Sequence, residues 1–162
     1  MFIKKVYPSA LGDLTLIDSG QGLCALVAAG QRYEARHLPE AACLGETPTL
    51  DAACRWLDAY FAGDRPDGTG LCLAPEGTAF QKRVWQELLT IPYGKTESYG
   101  QIAARLSSSP RAVGAAVGRN PISILIPCHR VLGSGGALVG YAGGLERKRF
   151  LLTLEGALYG EE

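Results

Sequence analysis

The sequence predicts an α/β (α+β) chain in two parts: a small sheet-plus-helix lobe over 1–75, and a mostly helical domain over 76–162 that carries a helix-turn-helix-like pair. Three observations lead there. Short apolar runs alternate with turn residues at the start; one helical stripe then leads into a Pro/Gly/Asp-rich connector; and after residue 76 successive segments open with helix-capping pairs. With 162 residues, the chain can bury most of its apolar surface without metals or crosslinks.

FIKKVY, LTLI and LCALVAA read as strands, separated by the turn compositions PSALGD and DSGQG. From Leu50 the apolar positions 50, 53, 54, 57, 60 and 61 follow helical spacing and stop at Gly63. Residues 64–76, DRPDGTGLCLAPE, read as a connector. Thr78 with Gln81 forms a capping box for a helix through Phe80, Val84, Trp85, Leu88 and Leu89, which ends at Ile91-Pro92-Tyr93-Gly94. Ser98 with Gln101 opens a short helix over Tyr99 to Leu106, and Ser109 caps another with Pro110 at its first position. This second helix carries Arg111, Ala112, Gly114, Ala115, Gly118 and Arg119, small residues that let its backbone come close to a partner. That partner is either a nucleic acid groove or a neighbouring helix. Asn120-Pro121 ends it, and Ile122 to Ile126 reads as a buried extended segment. Six glycines follow within 132–144, and a last helix over Leu145 to Glu155, ended by Gly156, shows Phe150, Leu151, Leu154 and then Leu158 on one face.

Charge is uneven although the chain is neutral overall. Residues 77–150 hold ten bases against Glu87, Glu97 and Glu146, a net of +7 where a phosphate backbone could sit. The start, MFIKKVYPSA, lacks an apolar signal core, and the longest strongly apolar run is too short for a bilayer. We therefore expect no membrane partner and a cytoplasmic protein. The five cysteines are odd in number and contain no C-x-x-C, as in a reducing compartment.

One run carries chemistry: Pro127-Cys128-His129-Arg130 in ILIPCHRV. A thiolate is a strong nucleophile once a base or a positive field removes its proton, and His129 and Arg130 offer both. In extended backbone neighbouring side chains diverge, so a water relay or a local turn is needed to connect Cys128 to His129. Glu155 is the candidate to orient the imidazole.

Four blocks in order, GTAFQKRVWQELLTIPYGKTESYGQIA, RAVGAAVGRNP, ILIPCHRV and GYAGGLERKRFLLTLE, closely resemble the O6-alkylguanine-DNA alkyltransferases (methylated-DNA–protein-cysteine methyltransferases). LGDLTL, the GL of DSGQGL and WLDAYFAG extend the resemblance more loosely into the first lobe. It implies a winged helix-turn-helix-like domain that binds double-stranded DNA through the minor groove, which is only about 6 Å wide and suits small residues. The substrate would be O6-alkylguanine, and O4-alkylthymine, flipped out of the duplex. Cys128 would accept the alkyl group irreversibly, once per molecule and without a cofactor. His129, backed by Glu155, would take the thiol proton through a water. Tyr99 would push the 3′ phosphate and donate toward N3 of the departing base. Asn120 would hold the Asn-Pro turn, and Arg111 would fill the gap in the stack, with Ala112, Gly114, Ala115 and Arg119 also facing DNA. Pro127, Val131, Tyr141, Ala142 and Gly143 would line the pocket, the carbonyls of Cys128 and Val131 accepting from the exocyclic amine. The resemblance implies a monomer, with clustering along DNA left open.

The stretch from Tyr99 to Arg111 is two residues shorter than the family pattern, with SSSP at the turn. His37 and the scattered thiols lack ligand spacing, so no metal is expected. Two other readings stand beside this one: a lesion sensor of the same fold that does no chemistry, and a cysteine hydrolase using Cys128, His129 and Glu155.

Overall fold

The computed structural model describes residues 1–31, 38–39 and 41–157. It divides into two compact units, Met1–Glu76 and Gly77–Glu162. His37 and Leu158 lie outside the described residues.

In the first unit β1 (Ile3–Ser9), β2 (Gly12–Asp18), β3 (Leu23–Ala28) and β4 (Cys43–Leu44) form one sheet in the order β3-β2-β1-β4. The first three strands are antiparallel, and β4 runs parallel to β1. The strands continue into the stretch that composition marks as a turn, because Ser9 pairs with Gly12 and only Ala10 and Leu11 remain for the bend. Pro8 is tolerated there because β4 pairs only with Ile3 and Lys4, so β1 has a partner on one side at Pro8.

The helix expected from Leu50 begins two residues earlier. α1 (Pro48–Phe61) is capped by the Thr47 side chain, which accepts from the Leu50 amide, with Pro48 in the first turn. The same hydroxyl donates to Asp18 at 2.7 Å, tying the helix start to β2. Leu50, Ala53, Leu57 and Tyr60 are buried, the i, i+3, i+7, i+10 face the sequence marks. The connector is less irregular than its composition suggests. The Leu23 amide donates to Cys72 O and the Ala74 amide donates to Leu23 O, so residues 72–74 lie alongside β3. Gly22, at φ +147°, permits this approach, since a Cβ there would lie 2.8 Å from Cys72 O.

In the second unit both capping boxes form, at Thr78 for α2 (Ala79–Leu88) and at Ser98 for α3 (Tyr99–Arg105). α4 (Pro110–Gly118) is capped by Ser109. The short turn between α3 and α4 closes with Ser107 at φ +53°. α4 buries Val113, Ala116 and Val117, and the buried Trp85 indole of α2 donates to Ala116 O at 2.9 Å. Arg105 clasps Glu87 and Glu97, at 2.8 and 2.6 Å, which fixes α3 to its neighbours.

β5 (Glu97–Ser98) pairs in parallel with β6 (Val131–Leu132), which brings the start of α3 beside the Pro-Cys-His-Arg run. Ile122 to Ile126 is buried as expected but is not extended. The Ile126 amide donates to Ile122 O, and Ile124 sits at φ +71°, a conformation costly for a β-branched residue. Asn120 imposes the bend, because its side chain accepts from the Ile122 amide and donates to Ile126 O. The last helix, α5 (Leu145–Glu155), ends at Gly156, but its inner face is Lys148, Leu151, Leu152 and Glu155. Phe150 is exposed and Leu154 half-buried, because two charged residues occupy stripe positions that an apolar count overlooks. No helix among the described residues is long and apolar enough to cross a membrane.

Candidate active site

Cys128, His129 and Arg130 form one 3-10 turn rather than extended backbone, opened by Pro127, and all three side chains are buried. The turn changes the geometry expected from alternation, since residues of a turn need not diverge. Its carbonyls are committed in part: the Val131 amide donates to Cys128 O.

Glu155, on the inner face of α5, reaches this turn. Its Oε2 lies 2.7 Å from His129 Nε2, and both side chains are fully buried. Arg130 grips the same carboxylate at both oxygens, Nε to Oε1 at 2.8 Å and Nη2 to Oε2 at 3.0 Å, and the Gly94 amide donates to Oε1 at 3.1 Å. Burial alone would raise the Glu155 pKa; the donors from His129 and Arg130 reverse this and hold it well below the usual carboxylate range. An ionised carboxylate only accepts, so Nε2 carries the imidazole hydrogen and Nδ1 keeps a lone pair. Nδ1 is buried and has no hydrogen-bond partner among the described residues. Burial lowers the His129 pKa, and the nearby Arg130 and Lys148 charges act in the same direction against Glu155. The imidazole is therefore a neutral base with one open nitrogen.

The sulfur is held as a thiol. Burial pushes the Cys128 pKa up, while hydrogen bonds from Asn120 and Tyr141 and the Lys148 charge pull against it. Those three groups are stabilisers of a thiolate once it forms. Asn120 thus serves two ends, bending the 122–126 segment and facing the sulfur. Tyr141 lies between Ser123 and Cys128, and its pKa is raised by burial and by the sulfur. Tyr99, first residue of α3, is pushed up to about 12 by burial and by Cys128, so it is a proton donor at neutral pH.

The glycine-rich loop closes over this group. Tyr99 Oη donates to Gly140 O at 3.4 Å, and Gly140, at φ +62°, suits glycine, since a side chain there would be strained and its Cβ would sit a tight 3.1 Å from that hydroxyl. Gly143 is buried, Ala142 is half-buried, and Arg147 donates to Gly143 O at 2.9 Å. Sequence reasoning missed Lys148. Its ammonium is fully buried and donates to Val131 O at 2.6 Å, Val139 O at 2.6 Å and Gly140 O at 3.0 Å, pinning the start and the middle of the loop to α5. Burial lowers its pKa to about 8. A lysine at i−3 and i−4 from Leu151 and Leu152 was the available signal. The grip of Arg130 on Glu155 was also missed, and no local pattern announces it.

The remaining candidates are elsewhere. Arg111, Ala115 and Arg119 are exposed at i, i+4 and i+8 on the side of α4 opposite its buried face, with Ala112 and Gly114 half-buried. Gly114 faces the Tyr99 ring, where a Cβ would lie 3.7 Å away. Of the ten bases within 77–150, Arg130 and Lys148 are buried in the site and Arg105 is paired with two glutamates, so the outward positive field is smaller than the sequence count.

Comparison with known proteins bears on both units. Residues 79–157 match the family described as 6-O-methylguanine DNA methyltransferase, DNA binding domain, and residues 2–75 match 6-O-methylguanine DNA methyltransferase, ribonuclease-like domain. A methylated-DNA–protein-cysteine methyltransferase of Mycobacterium leprae is 48% identical over 152 residues, covering 91% of this chain and 88% of that protein. The Haemophilus influenzae protein of the same name is 42% identical over 151 residues, covering 92% and 83%. Among solved structures, an O6-methylguanine methyltransferase of Mycobacterium tuberculosis superposes with TM-score 0.85 at 44% identity, covering 96% of this chain and 93% of that one. The OGT of the same organism in complex with DNA superposes with TM-score 0.83 at 42% identity, covering 96% and 92%.

Proposed function

The chain belongs to the 6-O-methylguanine DNA methyltransferase family, and from that premise we infer that it acts in DNA repair, transferring an alkyl group from DNA to a cysteine. Cys128 is the acceptor in this reading, and O6-alkylguanine in double-stranded DNA is the substrate. The observation that carries it is a buried thiol in the same turn as His129, whose Nε2 is held by Glu155 at 2.7 Å while Nδ1 remains open.

The thiol proton passes to His129 Nδ1 through a bridging water, leaving an electron pair on sulfur. That pair forms the S–C bond as the C–O6 bond breaks, its electrons staying with guanine, which is then protonated. Tyr99, protonated at neutral pH, donates toward the departing base. Asn120, Tyr141 and Lys148 stabilise the negative sulfur before the bond forms. The Cys128 and Val131 carbonyls each already accept one hydrogen bond and retain a second lone pair for the guanine amine. The product is a thioether that hydrolysis does not reverse, so each chain acts once.

The alkylated nucleotide is flipped to reach the sulfur, which costs a few kcal/mol of unstacking. Arg111, exposed at the start of α4, fills the space it leaves, and Ala112, Gly114, Ala115 and Arg119 line the minor groove. The test is intact mass after incubation with a duplex holding one O6-methylguanine. A gain of one methylene confined to the Cys128 peptide, absent in Cys128→Ala although that variant still binds the duplex, supports the reading. An unchanged mass with tight binding would indicate a sensor, and many turnovers on an activated ester would indicate a hydrolase.

A further inference from the structure

The proposed transfer uses Cys128, His129 and Glu155, but the hydrogen bonds give a larger share of Glu155 to Arg130 than to the histidine. Arg130 donates twice to the carboxylate, at 2.8 and 3.0 Å, and its remaining Nη1 donates to Ile91 O at 2.7 Å. The guanidinium carbon lies 5.8 Å from the centroid of the Tyr93 ring. The side chain is almost fully buried and held at every side.

Resting on the proposed function, we propose that Arg130 is a positioning residue that keeps the His129 base free: by neutralising Glu155 it prevents the buried carboxylate–imidazole pair from taking up a proton.

With Arg130 present, a neutral imidazole, a carboxylate and a guanidinium sum to zero in a buried site. Without Arg130 the same pair would carry one uncompensated negative charge away from water, a costly state that is relieved by binding a proton. Imidazole is the more basic partner, so the proton would settle on Nδ1, the position that must accept from sulfur. Glu155 would then still orient the ring, but the base would be occupied. The groups that face the imidazole are Glu155 and Lys148 from α5, Arg130 from its own turn, and Cys128 beside it. α2, which packs on the turn, points Val84, Trp85 and Leu88 inward and keeps Lys82 and Arg83 at the surface. Lys148 does not take the place of Arg130 at the carboxylate: its ammonium donates to Val131, Val139 and Gly140, and only His129 and Arg130 hold the Glu155 pKa down.

The first measurement does not need the alkyl transfer reaction. The chain has two histidines, so in a His37→Gln background the ring nitrogens of His129 can be titrated by NMR. The wild-type imidazole should stay neutral well below pH 6.5, while Arg130→Met should raise the midpoint by about one to two pH units. Arg130→Lys, which retains the charge, should restore most of the wild-type midpoint. The second measurement is the single-turnover rate on methylated duplex against pH. The acid limb of Arg130→Met should move alkaline by the same amount, with the rate about tenfold lower for each pH unit below the new midpoint and recovering toward wild type at pH 9. A uniform loss at every pH, an unmoved midpoint, or an Arg130→Lys midpoint that matches Arg130→Met overturns the proposal. If Arg130→Met does not fold, Arg130→Gln keeps a donor for Ile91 O while removing the charge, and it is read in the same way. Failure of wild type to transfer the methyl group would sink the functional reading and leave the NMR comparison standing.

Discussion

Replacing Asn120 with alanine tests whether one side chain shapes the segment that presents the sulfur. Asn120 is buried, accepts from the Ile122 amide at 3.0 Å and donates to Ile126 O at 2.8 Å. Truncation leaves both backbone groups without a partner in the interior, at about 1–3 kcal/mol each, so about 3 kcal/mol is a moderate expectation. The bend those two bonds span includes Ile124 at φ +71°. Urea unfolding measures it. With Trp56→Phe in the background, fluorescence comes from Trp85, which is buried and bonded to Ala116 O in the second unit. For a slope near the lower end of the usual range, about 1 to 1.5 kcal/mol per molar, the midpoint should fall by about 2–3 M. Asn120→Asp, which still accepts from Ile122 but cannot donate to Ile126 O, should lie between the two in stability. It should react more slowly than its stability implies, because a carboxylate beside Cys128 disfavours the thiolate. A loss below about 0.5 kcal/mol for Asn120→Ala would refute the idea that this side chain imposes the bend.

Arg111→Ala should slow repair of methylated duplex far more than reaction with free O6-benzylguanine, compared in single-turnover assays; equal loss on both substrates would remove its role in the stack. Lys148→Met should loosen the loop over 131–140, seen as faster amide exchange there, since three carbonyls lose their donor. Because the folded Lys148 pKa is lowered to about 8, the unfolded chain binds more protons above that pH, so wild-type stability relative to Lys148→Met should increase between pH 8 and about 10.4. His129 and Glu155 are both lowered on folding, so their stabilisation is complete above the unfolded values and is lost in acid, from about pH 6.5 for the histidine and about 4.3 for the carboxylate. His129→Gln should abolish the upper of these two steps in a stability–pH curve.

Features fixed by neighbours in sequence were legible. The pairs Thr78–Gln81 and Ser98–Gln101 and the Ser109-Pro110 start mark helices whose caps form as expected, because a cap is satisfied within one turn. Thr47-Pro48 carries the same signal two residues ahead of Leu50, where the apolar stripe alone starts the helix. The 122–126 segment misled because an apolar run is the same whether it is straight or folded back; the Asn120 bonds that bend it link residues the period does not connect. Glu155 was found as the acid at the apolar end of a helix, whereas Lys148 and Arg130 were hidden by the habit of placing long cations at the surface. Their burial follows from carbonyls and a carboxylate brought in by the tertiary fold.

α5 supplies both the carboxylate that holds the imidazole and the amine that fastens the loop, and it follows every other part of the site in chain order. A growing polypeptide therefore acquires its sulfur at position 128 before the partners at 148 and 155 are made. Nascent protein would carry an unassisted thiol and become competent to react only when this helix docks, so the molecule's single chance at chemistry is withheld until the domain is built.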